Sequence, residues 1–175
     1  MRIRPVWIGF AALVACGALP MMAQNTEISA VGGIGYAAGD RASGGGAAVG
    51  FAGFGATRAV SGVHGVQMDY LYASYRFRSL DNHFLTVSYV LQPLRAGTER
   101  RFRPFLNIGG GLRLERSSTG MFAPRQRSTG FSPVFGGGFS YDIGWSMFVA
   151  PQVRCYASPG VTLTVLPTVA VGWRF

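Results

Sequence analysis

The chain has 175 residues, and its 16 basic side chains are all arginine against 7 acidic ones, which gives a formal net charge of +9. Without lysine there is no Walker phosphate-binding motif, and two histidines are too few for a histidine-rich metal site. A basic chain suggests a nucleic-acid partner, but the export signal described next argues against it. We therefore expect no nucleic acid, no metal and no cofactor.

Residues 1–23 have the organisation of a secretory signal peptide. A basic start precedes an almost wholly apolar stretch, and Ala23 offers a small residue at the cleavage site. The apolar stretch is shorter than the about 20 residues that a transmembrane helix needs. Cleavage before Cys16 is an alternative, because the residues before it resemble a lipoprotein box. With cleavage after Ala23 the mature domain is 24–175, where Cys155 is the one cysteine and no internal disulfide forms.

Eight segments of the mature domain, separated by turn-forming residues, are predicted to be β-strands from their period-two alternation. They cover residues 27–37, 47–57, 66–77, 84–91, 102–115, 131–141, 146–156 and 161–175. The second is so rich in glycine and alanine that its faces stay unassigned. The alternation of the third slips at Ser74 and Tyr75, which is consistent with a β-bulge.

The last segment has the clearest pattern. From Val161 to Phe175 every odd position is apolar, and the even positions are small or polar except Leu166. An apolar face points at a core in a soluble sandwich and at lipid in an outer-membrane barrel. The export signal, the small and charged polar faces and the aromatic residues near strand ends favour the barrel. We predict an all-β fold, an antiparallel up-and-down transmembrane β-barrel of eight strands, with a secreted sandwich as the alternative.

The chain ending resembles the C-terminal signal of bacterial outer-membrane barrels. The resemblance assigns this signal to Val171, Trp173 and Phe175 and implies recognition by the barrel-assembly machinery; Ala170 stands where the family usually has glycine. The whole mature chain resembles the small eight-stranded barrels of the OmpA-like and OmpX-like families, without the peptidoglycan-binding domain of the former. It is thereby implied to be a monomer in the cell outer membrane, in contact with outer-membrane lipid and lipopolysaccharide.

Six charged residues fall on the polar faces of the predicted strands. They are Glu27, Asp69, Arg113, Glu115, Arg154 and Arg174. An eight-stranded barrel is just wide enough for side chains to fill it, and buried charges must pair to offset their desolvation. We expect an ion network in a filled interior; a small channel is the alternative.

Residues 116–130 are predicted to form a long loop. Its arginines, Arg116, Arg125 and Arg127, have no acidic residue among them. With both termini in the periplasm, this loop lies outside the cell. There guanidinium groups can bind the phosphates of lipopolysaccharide or another partner, although solvated loop charge is a simpler interpretation.

Two glycine triplets, at residues 109–111 and 136–138, flank this loop. Antiparallel partners share a constant sum of residue numbers, and a sum of 247 would set the triplets side by side. We expect them to permit tight curvature of the wall; a groove for lipid or a partner is the alternative.

The leading hypothesis for function is a non-enzymatic barrel with a structural or surface-interaction role and no catalytic residue. The alternative is an outer-membrane lipid-modifying hydrolase, for which Asp81, His83 and Ser88 are the nearest grouping. The lipid A deacylase pattern has serine two residues after histidine, where this chain has Leu85. Residues 33–38 match a dinucleotide-binding fingerprint, but a loop follows where that motif needs a helix.

Overall fold

The fold is taken from a computed structural model that describes residues 26–38, 47–75, 80–92, 101–117, 126–158 and 161–175. Eight strands account for nearly all of them: β1 (Thr26–Ala37), β2 (Ala47–Ser61), β3 (His64–Tyr75), β4 (Leu80–Leu91), β5 (Phe102–Ser117), β6 (Gln126–Gly144), β7 (Met147–Ser158) and β8 (Val161–Arg174). The predicted signal peptide lies outside the described residues. Within those residues we find no helix of the length and apolarity needed to cross a membrane.

The strands close into one barrel, in which each strand pairs antiparallel with its neighbours in chain order. The closing pair joins β1 to β8, from Glu27 opposite Arg174 to Ala37 opposite Thr164. A closed sheet has no unpaired edge, which is what a membrane requires of a β-sheet. The predicted fold class is confirmed. We call the end of the barrel that holds Thr26 and Phe175 the proximal end, and the opposite end the distal end.

The strands are staggered around the barrel by ten residues. Following direct Cα partners once around leads from Thr26 back to β1 at Tyr36. The path passes through Arg58, Val66, Tyr89, Ile108, Phe135, Cys155 and Val165. Such a stagger tilts the strands, because a closed sheet couples shear to tilt.

The predicted alternation of faces is confirmed. In β8, Val169 is 52% exposed on the outer wall, whereas Thr168 beside it is 3% exposed inside. The structure also assigns the faces of β2, which the sequence left open: Val49 and Phe51 are buried inside, and Phe54 lies outside. The outer wall is therefore apolar around the barrel, as a lipid-facing surface must be.

The predicted bulge in β3 is wrong. The alternation continues through Ser74 to Tyr75, which pair with Asp81 and Leu80 in unbroken register. Tyr75 points into the barrel, where its hydroxyl accepts a hydrogen bond from Asn82 Nδ2 at 3.1 Å. Tyr75 is an aromatic residue on the inner face, so it interrupts the apolar–polar pattern of the sequence without changing the alternation of the strand. The register shifts lie at the ends of strands instead, one of them between residues 59 and 61.

The predicted register of β5 with β6 is also wrong. Direct partners there sum to 243, as for Leu106 opposite Gly137 and Gly110 opposite Pro133, so the triplets are offset by four residues. A Cβ on Gly110 would come within 2.4 Å of the Phe131 ring, and one on Gly137 within 2.8 Å of Leu106 Cδ2. Each triplet thus lies beside a bulky outward side chain of the other strand. This packing favours the observed register over the predicted one, in which the two triplets would pair with each other.

Both strands are longer than predicted. β5 continues to Ser117 and β6 begins at Gln126, so only residues 118–125 of the expected loop separate them, and these lie outside the described residues. Strand ends that extend beyond the apolar zone carry polar residues on both faces. The apolar period that marks a strand in the sequence therefore stops before the strand does.

Candidate functional site: the barrel interior and its outer wall

The most deeply buried charges form a pair at mid-height. Arg154 on β7 meets Asp69 on β3 across the interior, with Nη1 to Oδ2 at 3.0 Å and 2% and 3% of the side chains exposed. Gln67 Nε2 donates to Asp69 Oδ1 at 2.9 Å, and Arg154 Nε donates to Gln152 Oε1 at 3.2 Å. The pair joins opposite walls of the barrel, and two glutamine amides extend it.

A second group lies near the proximal end, at the seam where β8 meets β1. Arg174 Nε donates to Glu27 Oε1 at 2.8 Å, and Nη2 donates to Ser140 Oγ at 2.7 Å. The same guanidinium contacts Asp142 and lies 4.5 Å from the centre of the Phe148 ring. Arg174 therefore joins β8 to β1, β6 and β7.

Two members of this group were missed in the sequence. They are Asp142 and Arg103, which form an ion pair with Arg103 Nη2 2.9 Å from Asp142 Oδ2. Asp142 lies one residue beyond the predicted sixth segment, which ends at residue 141, but it continues the even-numbered inner face of β6 after Ser140. That phase was the signal that could have identified it.

The other two predicted interior residues lie towards the distal end. Arg113 Nη1 is 3.3 Å from Glu115 Oε2, two residues away on the same strand. The Cα partner of Arg113 is Gly130, whose missing side chain leaves room for the guanidinium. All six predicted interior residues thus point inward, but they form three separate pairs.

Part of the distal interior is apolar, whereas the sequence predicted an interior filled by an ion network. It is filled by fully buried side chains from five strands, namely Val49, Leu71, Phe84, Tyr156 and Leu166. The Phe84 and Tyr156 rings pack with centroids 4.7 Å apart. We call these five residues the distal layer. Leu71 and Tyr156 each lie two residues beyond a member of the central ion pair, so the layer covers that pair.

A small cavity lies below the layer. Its volume is about 30 Å³, and Glu27, Gln67, Gln152 and Arg154 contribute to its lining. A polar cavity of this size holds about two water molecules. Water in this cavity can hydrogen-bond to the buried polar groups around it. The cavity is too small to hold a sugar or an amino acid.

Two of the three predicted loop arginines lie in strands. Arg116 is near the end of β5 and Arg127 near the start of β6, where they are direct Cα partners, both exposed on the outer wall. Arg125 lies outside the described residues. The expectation that Arg116 and Arg127 belong to a loop is wrong, because β5 and β6 continue their pairing past the apolar zone.

Both histidines lie on the outer wall and bond to tyrosines of the facing strand. Near the distal end His83 Nδ1 is 2.8 Å from the Tyr70 hydroxyl, and near the proximal end His64 Nδ1 contacts the Tyr89 hydroxyl. Ser88 is buried inside, so the grouping considered for a hydrolase is divided between the two faces of β4. No cluster of three potential metal ligands occurs among the described residues.

The C-terminal residues close the barrel. Phe175 N donates to Thr26 O at 2.9 Å, and Thr26 N donates to Phe175 O at 3.3 Å. The side chains of Val171, Trp173 and Phe175 are exposed on the outer wall. Together they form an apolar stripe beside the seam.

This architecture is similar to that of solved eight-stranded outer-membrane barrels. Neisserial surface protein A (NspA) matches with a TM-score of 0.68 and 16% identity over 87% of this chain and 98% of that one. The N-terminal β-barrel domain of Pseudomonas aeruginosa OprF gives 0.65 and 15% over 87% and 98%. Ail, the attachment invasion locus protein of Yersinia pestis, solved with the heparin analogue sucrose octasulfate, gives 0.59 and 11% over 87% and 99%.

The fold is a closed eight-stranded β-barrel like that of these outer-membrane proteins, and the resemblance predicted from the sequence is confirmed at the level of the fold. No protein-family model matches the chain, and no curated protein matches it in sequence. Identities of this size show a shared fold only.

Proposed function

We propose that the protein is an integral barrel of the bacterial outer membrane with a filled, non-conducting interior, which serves the envelope through its outer surface. The observation that carries this is the filling of the interior. The distal layer lies above the pair of Asp69 and Arg154, and the group around Arg174 occupies the proximal end. Side chains rather than solvent take up the space in such a narrow barrel.

A non-enzymatic role is the better-supported part of this proposal. Catalysis by a hydroxyl nucleophile needs a base within hydrogen-bond reach, and Ser88 Oγ is buried inside while His83 lies outside. Among the described residues, no observation favours a lipid-modifying hydrolase.

The proposed partners are those of an outer-membrane barrel. Phosphorylated lipid of the outer leaflet, including lipopolysaccharide, suits the exposed arginines at the distal end. The stripe of Val171, Trp173 and Phe175 suits the barrel-assembly machinery. We propose a monomer, because closure of the sheet leaves no strand edge for a second copy.

Two measurements test the proposal. Fractionation should recover the protein with outer membranes, and unboiled protein should migrate differently from boiled protein on a gel, as folded barrels do. In planar bilayers the purified protein should show little or no steady conductance. Stable openings of porin size would contradict the filled interior, and a single band unaffected by boiling would contradict the membrane barrel.

A further inference from the structure

We infer that Arg116 and Arg127 together bind the phosphate group of a membrane lipid on the outer wall. This rests on the proposed membrane location. The two residues are direct Cα partners on β5 and β6, and both side chains are exposed. Direct partners in an antiparallel pair have Cα atoms about 5 Å apart, so one small anion can contact both guanidinium groups.

The positive charge of the two arginines exceeds the negative charge beside them. Like charges directly opposite each other destabilise a strand pair. Among the residues that the structure describes, no carboxylate forms an ion pair with either guanidinium. Asp81 is the Cα partner of Arg116 on the other side and accepts a hydrogen bond from the Tyr72 hydroxyl at 2.9 Å, so its single carboxylate offsets at most one of the two positive charges. A bound anion would remove the repulsion.

The polar surroundings suit a lipid headgroup. Tyr70 and His83 hydrogen-bond to each other on the outer wall, and His83 lies two residues from Asp81, the Cα partner of Arg116. Tyrosine is enriched at the membrane–water interface, where its ring contacts lipid and its hydroxyl contacts water. The two arginines therefore stand just beyond the interface, at the level of lipid phosphates.

The wall below the arginines suits acyl chains. Leu112 and Leu114 on β5 and Phe131 on β6 are exposed on the same face, at 54%, 48% and 60%. A ligand that contacts both the arginines and this apolar wall is amphipathic, with its phosphate at the arginines and its acyl chains along the wall. A phosphomonoester carries a charge of about −1.5 to −2, which matches two guanidinium groups. The occupant is thus an outer-leaflet lipid with a phosphomonoester headgroup.

Native mass spectrometry of the full mature chain in mixed micelles tests this, with bisphosphorylated lipid A as the probe. The R116Q/R127Q variant should bind it roughly ten- to hundredfold more weakly, since hydrogen bonds between charged groups are lost. Each single variant should lose most of that binding, because one arginine cannot bridge. R58Q/R101Q removes two exposed arginines near the proximal end and should bind like the wild type.

Three results would overturn the inference: equal losses in the two double variants, equal binding of dephosphorylated lipid A, or equal binding of sucrose octasulfate and lipid A. The last would indicate a site for soluble polyanions. Heat-modifiability of each variant shows that the barrel still folds. A barrel that conducts ions but still needs Arg116 and Arg127 for lipid A would refute the filled interior and leave this site intact.

Discussion

At the scale of single residues, Arg154 and Asp69 form the most deeply buried ion pair among the described residues. Both side chains are almost fully buried between opposite walls. Taking two charges out of water is costly, and their attraction offsets that cost only while both are present. The pair therefore specifies how β3 and β7 face each other more than it adds net stability.

Removing one partner should be far worse than removing both. We expect Asp69→Asn to lower the free energy of unfolding by about 3–5 kcal/mol, since it leaves the Arg154 guanidinium buried without a counter-charge. The double change Asp69→Leu with Arg154→Met should recover most of that loss. Urea unfolding in lipid vesicles measures both, and a double variant no more stable than the single one would contradict the argument.

At the scale of strands, glycine allows neighbouring backbones to approach closely on the inner face. A Cβ on Gly111 would lie 2.0 Å from Leu85 O and 2.6 Å from Thr86 Cα, both backbone atoms of β4. Backbone atoms of a paired strand cannot move aside without breaking ladder hydrogen bonds. Gly50 on the outer wall of β2 is different, because nothing lies within 4 Å of its would-be Cβ.

These two glycines provide a matched pair of variants. Gly111→Ala should lower the free energy of unfolding by roughly 1–3 kcal/mol through overpacking. Gly50→Ala should be neutral or stabilise by up to about 1 kcal/mol, because alanine restricts the unfolded chain. The urea midpoint in vesicles, followed by fluorescence of Trp145 and Trp173, tests this. Equal effects of the two changes would refute the close approach of β4 and β5.

At the scale of the whole molecule, the interior combines an apolar distal layer with ion pairs at the distal end, at mid-height and at the proximal end. With an even number of strands, both termini lie at the proximal end, which we predict faces the periplasm. The proposed lipid site lies at the distal end. The orientation therefore decides whether Arg116 and Arg127 meet the outer leaflet at all.

Trypsin added to intact cells tests the orientation. It should cut after Arg125, in the segment between β5 and β6, and spare Arg127, whose backbone is paired in the sheet. The variant Arg125→Gln should resist cleavage there. If the wild type is cut at this segment only after the outer membrane is permeabilised, the predicted orientation is inverted.

The sequence by itself determined the fold class, the strand number, the inner and outer faces of six strands, and those of β3 as far as Ala73. The reason is local: a period of two separates one face of a strand from the other without any knowledge of its neighbours. The same alternation predicted that Asp69 and Arg154 point into the barrel, although it did not predict that they pair with each other.

Tertiary structure alone decided the register, the strand ends and the composition of the interior. Alternation is unchanged by a shift of two or four residues, so it could not distinguish a sum of 243 from 247 for β5 and β6. Packing of Phe131 against Gly110 and of Leu106 against Gly137 distinguished them. Likewise Phe84 and Leu166 are apolar residues in polar faces, and only closure of the barrel brings them together in the distal layer.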